Sequence, residues 1–460
     1  MPISHVACMA FERVSRLASI PALFLCVMTW FVSAAQTNAQ SLIRDPDIEN
    51  GLRELAFPVL RAAGLNTNRV QILVVYDSTF NAFVIDNNAI YLNYGLILSV
   101  DTPEMLQAVI AHEAAHIANG HLARRFENLK AAKRNAGLGT ALALAVAVAG
   151  GGEAAAGIAA GTSSSALRSF LGHTRAEESS ADRSAASYLR WAGISPSGMV
   201  ALHQKFVGQE LLSEANQDPY MRSHPTNRDR LRAAQTFLGE FGASAVPNAQ
   251  AEYWFARVKG KLSAFLRAPS WTLRRAKEET AQDIRLMREA AAHHQNRNLA
   301  EARGAIDGAL AIRPDDPYYY ELKGQILLEN RQLPEAVAAY GHAMEMAPNN
   351  ALILAGYGRA LLAQDRTKDA LQVLEKARAR DHRNTGSLRD LSVAYARVGN
   401  TGMASVVTAE RYALQGKLTD AGIHARRALG QLPEGSTGWQ RAQDVLIASE
   451  NAKKSKRKRK

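Results

Sequence analysis

The stretch TPEMLQAVIAHEAAHIA, residues 102–118, decides how this chain reads. Thr102, Pro103 and Glu104 make a helix start: a hydroxyl cap, a proline where no N–H is needed, and an acid at the positive end of the helix dipole. Leu106, Val109 and Ile110 recur at helical spacing, so a helix is predicted to about Ala118. On that helix His112 and His116 stand at i and i+4. Both imidazoles leave one face and can share a tetrahedral ion. Glu113 is offset around the helix, where it can reach a water at such an ion without ligating. That is the placement of a general base.

A catalytic zinc needs a third protein ligand and an open fourth position. His121, His173, Glu177, Glu178 and His224 are the candidates. A three-histidine extension of the motif would need glycine at 119 and histidine at 122, where the chain has Asn119 and Leu122. Glu178 has the better case. It opens Glu178-Ser179-Ser180-Ala181-Asp182 on a predicted helix, and Asp182 lies at i+4 on the same face. An acid one turn beyond a ligand can accept a hydrogen bond from a ligating imidazole, fixing its tautomer and raising its basicity. Glu177 points about 100° away, toward solvent.

Outward from this centre, residues 46–63 read as a helix, with Ile48, Leu52, Leu55, Val59 and Leu60 at helical spacing. Strands are predicted at Val70 to Val75, Ala82 to Ile85 and Ala89 to Leu92, with the turn Asp86-Asn87-Asn88 between the last two. An exposed edge near residues 82–92 could pair with a substrate strand. Helices resume at about Arg175 to Trp191 and at Leu202 to Leu212. Residues 240–250 read as a loop and Tyr253 to Leu266 as a connecting helix. Residues 136–162 hold one charge, Glu153, among alanines and glycines. They read as a small-residue helical hairpin packed on the domain, or as a flap or membrane-contacting loop; Gly150 to Gly152 break them too much for a secure span. The fold class expected is mainly α (α+β): a metallopeptidase domain with a small β-sheet, then a helical superhelix.

The superhelix follows from arithmetic. Ala302, Ala336, Ala370 and Ala404 are evenly spaced, and the same step separates Ala309, Ala343 and Ala377, Pro314 and Pro348, and Gly324 and Gly358. A step of about 34 residues, with small residues where paired helices approach and proline after the second helix, resembles the tetratricopeptide repeat. Ala421, Ala428 and Pro433 repeat the spacing of Ala302, Ala309 and Pro314, but Ala421 follows Ala404 by only half the step. Either the phase slips by half a repeat or an irregular pair caps the array. Such arrays present a concave surface for peptides or partner proteins.

Composition excludes several classes. With 460 residues, 47% of them apolar and 21% charged, the chain is globular and long enough for about three domains. The net charge of +12 leans on Lys453 to Lys460, which hold seven cations in eight residues. Without aromatic interleaving, this tail argues against nucleic acid and suits a solvated end or one drawn to anionic lipid. Cys8 and Cys26 are the only cysteines. Both lie in an N-terminal segment that reads as an export signal: Arg13 and Arg16, an uncharged stretch from Leu17 through Ala35, then small residues near Ala34 and Ala39. Removing it leaves no thiolate site and no disulfide. An uncleaved anchor is the alternative.

HEAAH, then ESSADR, then Ser223-His224-Pro225 with Arg230 six residues after the histidine, resembles the HtpX and CaaX-prenyl-protease type of zinc peptidase. With an export signal ahead and repeats behind, the chain is similar to the BepA-like periplasmic branch of that family. The resemblance implies one Zn2+ on His112, His116 and Glu178, Glu113 as base, and a His224 able to take the fourth position and shut the enzyme off. His224 and Arg230 are also candidates to stabilise an oxyanion. The implied division is a signal peptide (1–39), a peptidase domain (40–240), connecting helices (241–285), repeats (286–450) and a basic tail (451–460). The implied function is a zinc endopeptidase degrading misassembled exported or outer-membrane proteins, with repeats that bind clients or the outer-membrane assembly machinery. The alternative is a chaperone or assembly adaptor with a mostly latent site. Membrane-surface contact would fall to residues 136–162 or the tail.

Overall fold

Asp45 opens the first helix. Its carboxylate accepts from the backbone N–H groups of Asp47 and Ile48, and Pro46 occupies the first turn. The computed structural model describes residues 42–124, 174–207, 220, 223–224, 228–241 and 248–457. The export segment, residues 136–162, His173, Pro225 and the end of the basic tail therefore lie outside the described residues. Helix α1 (Pro46–Ala62) packs Leu52, Leu55 and Val59 onto a four-stranded sheet. The sheet comprises β1 (Leu42–Ile43), β2 (Gln71–Val75), β3 (Ala82–Asp86) and β4 (Ala89–Asn93), in the order β1-β2-β4-β3. Strand β2 runs parallel to β4, and the other pairings are antiparallel. The Asp86 carboxylate accepts from the Asn88 N–H at 2.6 Å and closes the β3–β4 hairpin. Among the described strands β3 lies at the sheet edge and β4 is paired on both sides, so the edge expected over 82–92 narrows to 82–86.

Helix α2 (Tyr94–Ser99) leads to α3 (Pro103–Ala118), where Thr102 Oγ1 accepts from the Met105 N–H at 3.3 Å. Helix α3 is buried on nearly every side, and Gln107 inside it donates to the Leu55 carbonyl at 3.1 Å. Helix α4 (Arg175–Trp191) packs beside it and starts with a reciprocal capping box between Thr174 and Glu177. Glu177 is thus a cap, not a site residue. Helix α5 (Ser197–Lys205) begins earlier than its sequence pattern indicated and ends at Lys205. Helices α6 (Arg228–Phe241) and α7 (Ala249–Leu266) shorten the expected loop at 240–250, because Asn248 caps α7 through the N–H groups of Gln250 and Ala251.

Helix α7 is buried on two faces. Phe255, Val258 and Leu262 join the first core, and Tyr253, Ala256 and Phe265 pack on the core of the repeats. Helices α8 (Pro269–Ala276) and α9 (Gln282–Gln295) follow, then α10 (Leu299–Ile312), α11 (Pro317–Glu329), α12 (Leu333–Met346), α13 (Ala351–Ala363), α14 (Thr367–Arg380), α15 (Thr385–Arg397), α16 (Thr401–Leu414), α17 (Leu418–Leu429) and α18 (Thr437–Arg457). Ala302, Ala336 and Ala370 are fully buried at helix contacts, as the repeat period requires. The turn between paired helices repeats too: Arg297, Arg331, Asp365 and Gly399 all have positive φ, and Gly416 adopts it again half a period later. Helix α16 closes a pair with α15 and opens one with α17. The phase slips by half a repeat, and glycine at 399 and 416 meets the left-handed turn without steric cost. Among the described residues no helix is long and apolar enough to cross a membrane.

Buried charges join the two cores. The Arg257 guanidinium on α7 meets Asp47 of α1 at 2.7 Å and both oxygens of Asp316, ahead of α11, at 2.6 and 3.0 Å. Lys261 lies 3.0 Å from Asp45. Arg257→Met is expected to lower the unfolding free energy by about 3–5 kcal/mol, because it removes the guanidinium shared by two buried carboxylates and leaves Asp47 only Lys261 at 3.6 Å. Urea denaturation measures this, and an unchanged midpoint would count against it.

Candidate metal centre

His112 and His116 project from α3 into the space between α3 and α4, and Glu178, in the first turn of α4, faces them. Their positions follow from local sequence: the i, i+4 spacing aligns the imidazoles, and the Thr174 cap fixes where α4 starts. His112 Nε2 lies 3.1 Å from His116 Nε2 and 3.3 Å from Glu178 Oε2. His116 Nε2 is 3.4 Å from Glu178 Oε1. His224 completes the group, with Nδ1 at 3.2 Å from both His112 Nε2 and Glu178 Oε1. All four side chains are buried, and their ligand atoms lie within 4.8 Å of one another. A tetrahedron with such edges has its centre roughly 2 Å from each corner, the usual distance for zinc to nitrogen or oxygen. The donor set, three imidazoles and one carboxylate, fits a divalent metal.

Charged neighbours hold this group. Asp182 Oδ1 is 3.0 Å from His112 Nδ1, so a His112 that donates there presents Nε2 to the centre. Arg230, buried, donates Nε and Nη2 to Asp182 at 2.6 and 2.8 Å, and its Nη1 meets Glu178 Oε2 at 2.9 Å. These contacts run to the two acids of α4, which suits a clamp better than an oxyanion donor. Burial would raise the Asp182 carboxyl, but Arg230 holds it well below the usual carboxylate range. Burial likewise opposes ionisation of Glu178, and the imidazoles of His224 and His112 overcome it. Burial disfavours a charged His112, yet Glu178 and Asp182 hold it up at about 10. Burial keeps His116 low. The acids thus favour a cation among the imidazoles, whether a proton or a metal.

Two supports were illegible in the sequence. His203 on α5 lies 3.6 Å from Asp182 Oδ2, and no spacing links it to the motif. His121, a candidate ligand by sequence, instead backs His116 ring to ring, Nδ1 to Nδ1 at 2.9 Å. Glu113 is fully buried, and its Oε1 lies 3.4 Å from His224 Nε2. That nitrogen is also 3.3 Å from the Ala82 carbonyl of β3. His224 therefore stands between Glu113 and the other three donors, its ring against Tyr220 at 4.9 Å between centroids.

The pattern of peptidase family M48 matches residues 43–238, and a tetratricopeptide-repeat pattern matches residues 327–391. Beta-barrel assembly-enhancing protease of Escherichia coli (strain K12) is 24% identical over 405 residues, 86% of this chain and 81% of that protein. The protein of that name in Yersinia pestis is 24% identical over 422 residues, 85% of this chain and 82% of its own. A putative beta-barrel assembly-enhancing protease of Vibrio cholerae serotype O1 is 24% identical over 385 residues, 82% and 79%. The match spans the four-donor cluster and most of the helical array together, and it makes the chain a metallopeptidase with a peptidase family M48 domain and C-terminal tetratricopeptide repeats.

Proposed function

We propose that the chain is a zinc-dependent endopeptidase of the periplasm that degrades misfolded or misassembled exported and outer-membrane proteins, its repeats binding clients or the assembly machinery. The observation that carries this is the convergence of His112, His116 and Glu178, with His224 at the fourth corner. The names of the relatives favour the outer-membrane setting, and the N-terminal reading favours export. We divide the chain as the sequence suggests, with α7 and α8 as the connection.

His112, His116 and Glu178 hold the metal, and Asp182 and Arg230 fix their orientation. Bound zinc supplies a Lewis acid for a peptide carbonyl and makes a nearby water acidic. Glu113 accepts the proton as water attacks and then returns it to the leaving amine. A client strand can pair with the β3 edge, adjacent to Ala82. His224 fills the space this chemistry needs, so it must swing away before a carbonyl enters. Its seat beside the ligands favours an enzyme latent at rest, and with it an adaptor role that survives without hydrolysis.

The test compares wild type and His224→Ala on an unfolded protein substrate, with and without a zinc chelator. His224→Ala is expected to raise the rate about tenfold, a barrier change near 1.4 kcal/mol. The chelator should abolish both activities, and zinc should restore them. Chelator-resistant hydrolysis would remove the metal mechanism, and a slower His224→Ala would remove the latch.

A further inference from the structure

Helices α7, α8 and α9 border an open cleft of about 380 Å³ that contains none of the residues of the metal cluster. Its size suits a small ligand. Four cations line it, Lys259, Arg267, Arg275 and Arg288, against a single acid, Glu279. Leu98, Phe255 and Trp271 supply apolar wall.

The site is built around Arg288, which is only 8% exposed. Among the described residues its Nε is buried with no hydrogen-bond acceptor, and Glu279 at 3.3 Å is its one carboxylate at ion-pair distance. Gly260 makes room for the arginine stem: a Cβ there would come within 3.1 Å of Arg288 Cδ. Lys259 Nζ donates to the Val100 carbonyl at 2.5 Å rather than to an acid, and lies 4.9 Å from the Phe255 ring centroid. Arg267 lies 5.8 Å from that of Trp271. Arg275, at the rim, pairs with exposed Glu278. Burial pushes both Lys259 and Arg288 below their ordinary values; Asp101 and Glu279 do not make up the difference, and Lys205 and Arg275 add repulsion. Positive charge concentrated in a concave, low-dielectric wall draws anions.

We propose that this cleft binds a phosphate group carried on an apolar body. Glu279 and Glu278 pair with Arg288 and Arg275, whereas Lys259 and Arg267 have no carboxylate at ion-pair distance among the described residues, which leaves charge for a dianion rather than for one carboxylate. The guanidinium fork of Arg288 matches phosphate oxygens. Phe255, Leu98 and Trp271 would face the apolar body. An amphiphilic headgroup and free phosphate share this chemistry.

Calorimetric titration of the full, metal-loaded chain separates the two sources. One arm uses inorganic phosphate, the other dihexanoyl phosphatidic acid below its micelle concentration. Binding is expected to weaken with salt, roughly tenfold in Arg288→Gln and about threefold in Arg275→Gln, whose side chain lies at the exposed rim. Binding of the amphiphile alone, or tighter binding of it, supports the proposal and assigns a lipid headgroup; equal binding of both probes overturns the apolar body and leaves a free oxyanion. No heat with either probe, or affinities unchanged in both variants, overturns the proposal. If Arg288→Gln fails to fold, Arg267→Gln with Arg275→Gln decides it.

Discussion

Glu113→Gln is expected to cut hydrolysis of an unfolded protein by about 10²–10⁴-fold, the usual contribution of a general base. Bound metal should stay at the wild-type level. The amide keeps the shape of the carboxylate but cannot accept the proton of an attacking water. Glu113 is not among the four converging donors, so its neutralisation leaves the ligand set intact. Elemental analysis beside a proteolysis assay checks both halves. Wild-type activity in this variant would sink the mechanism. The same variant separates the two functional readings: a degrading enzyme loses its cellular role, whereas an assembly adaptor with a latent site keeps it.

The elements nearest the metal were the most legible, for a physical reason. A helix that must point two imidazoles and a base carries its spacing in consecutive residues, and HEAAH with its Thr102 cap states it completely. Arg175 to Trp191 was readable from its helical pattern and the acid pair Glu178 and Asp182, whereas the Thr174–Glu177 capping box that starts it shows in the structure. The repeat was legible because each small residue meets the same contact once per period, and the half-repeat slip at Ala421 is marked by the left-handed turn at Gly416. Other features depend on tertiary placement. His203 reaches Asp182 from a separate helix, and His121 turns to His116 rather than to the centre. Nothing in the spacing of Arg257 and Lys261 marks them as interior, yet both are buried because α7 lies between two cores. The short elements Leu42–Ile43 and Tyr94–Ser99 are too brief for any periodicity.

Glu178→Ala is expected to lose metal on dialysis and to fall to background activity, at least about 10³-fold below wild type given what metal-assisted hydrolysis contributes. Glu178 is fully buried, with oxygens 3.2–3.4 Å from His112, His116 and His224 and 2.9 Å from Arg230. Alanine removes the only carboxylate of the cluster and leaves the guanidinium without one of its two acids. Added zinc should raise the melting temperature of the wild type and not that of the variant, because only a protein with the site gains stability from the ligand. Asp182→Asn should weaken metal binding by about 10–100-fold instead, the size of effect that a supporting hydrogen bond to a ligating imidazole exerts. A graded series, with metal retained in Glu113→Gln, weakened in Asp182→Asn and lost in Glu178→Ala, separates base, support and ligand. If Glu178→Ala keeps wild-type affinity, His224 is the third ligand. The histidine that stands in the way of substrate would then be part of the site, and the latch would have to be sought elsewhere.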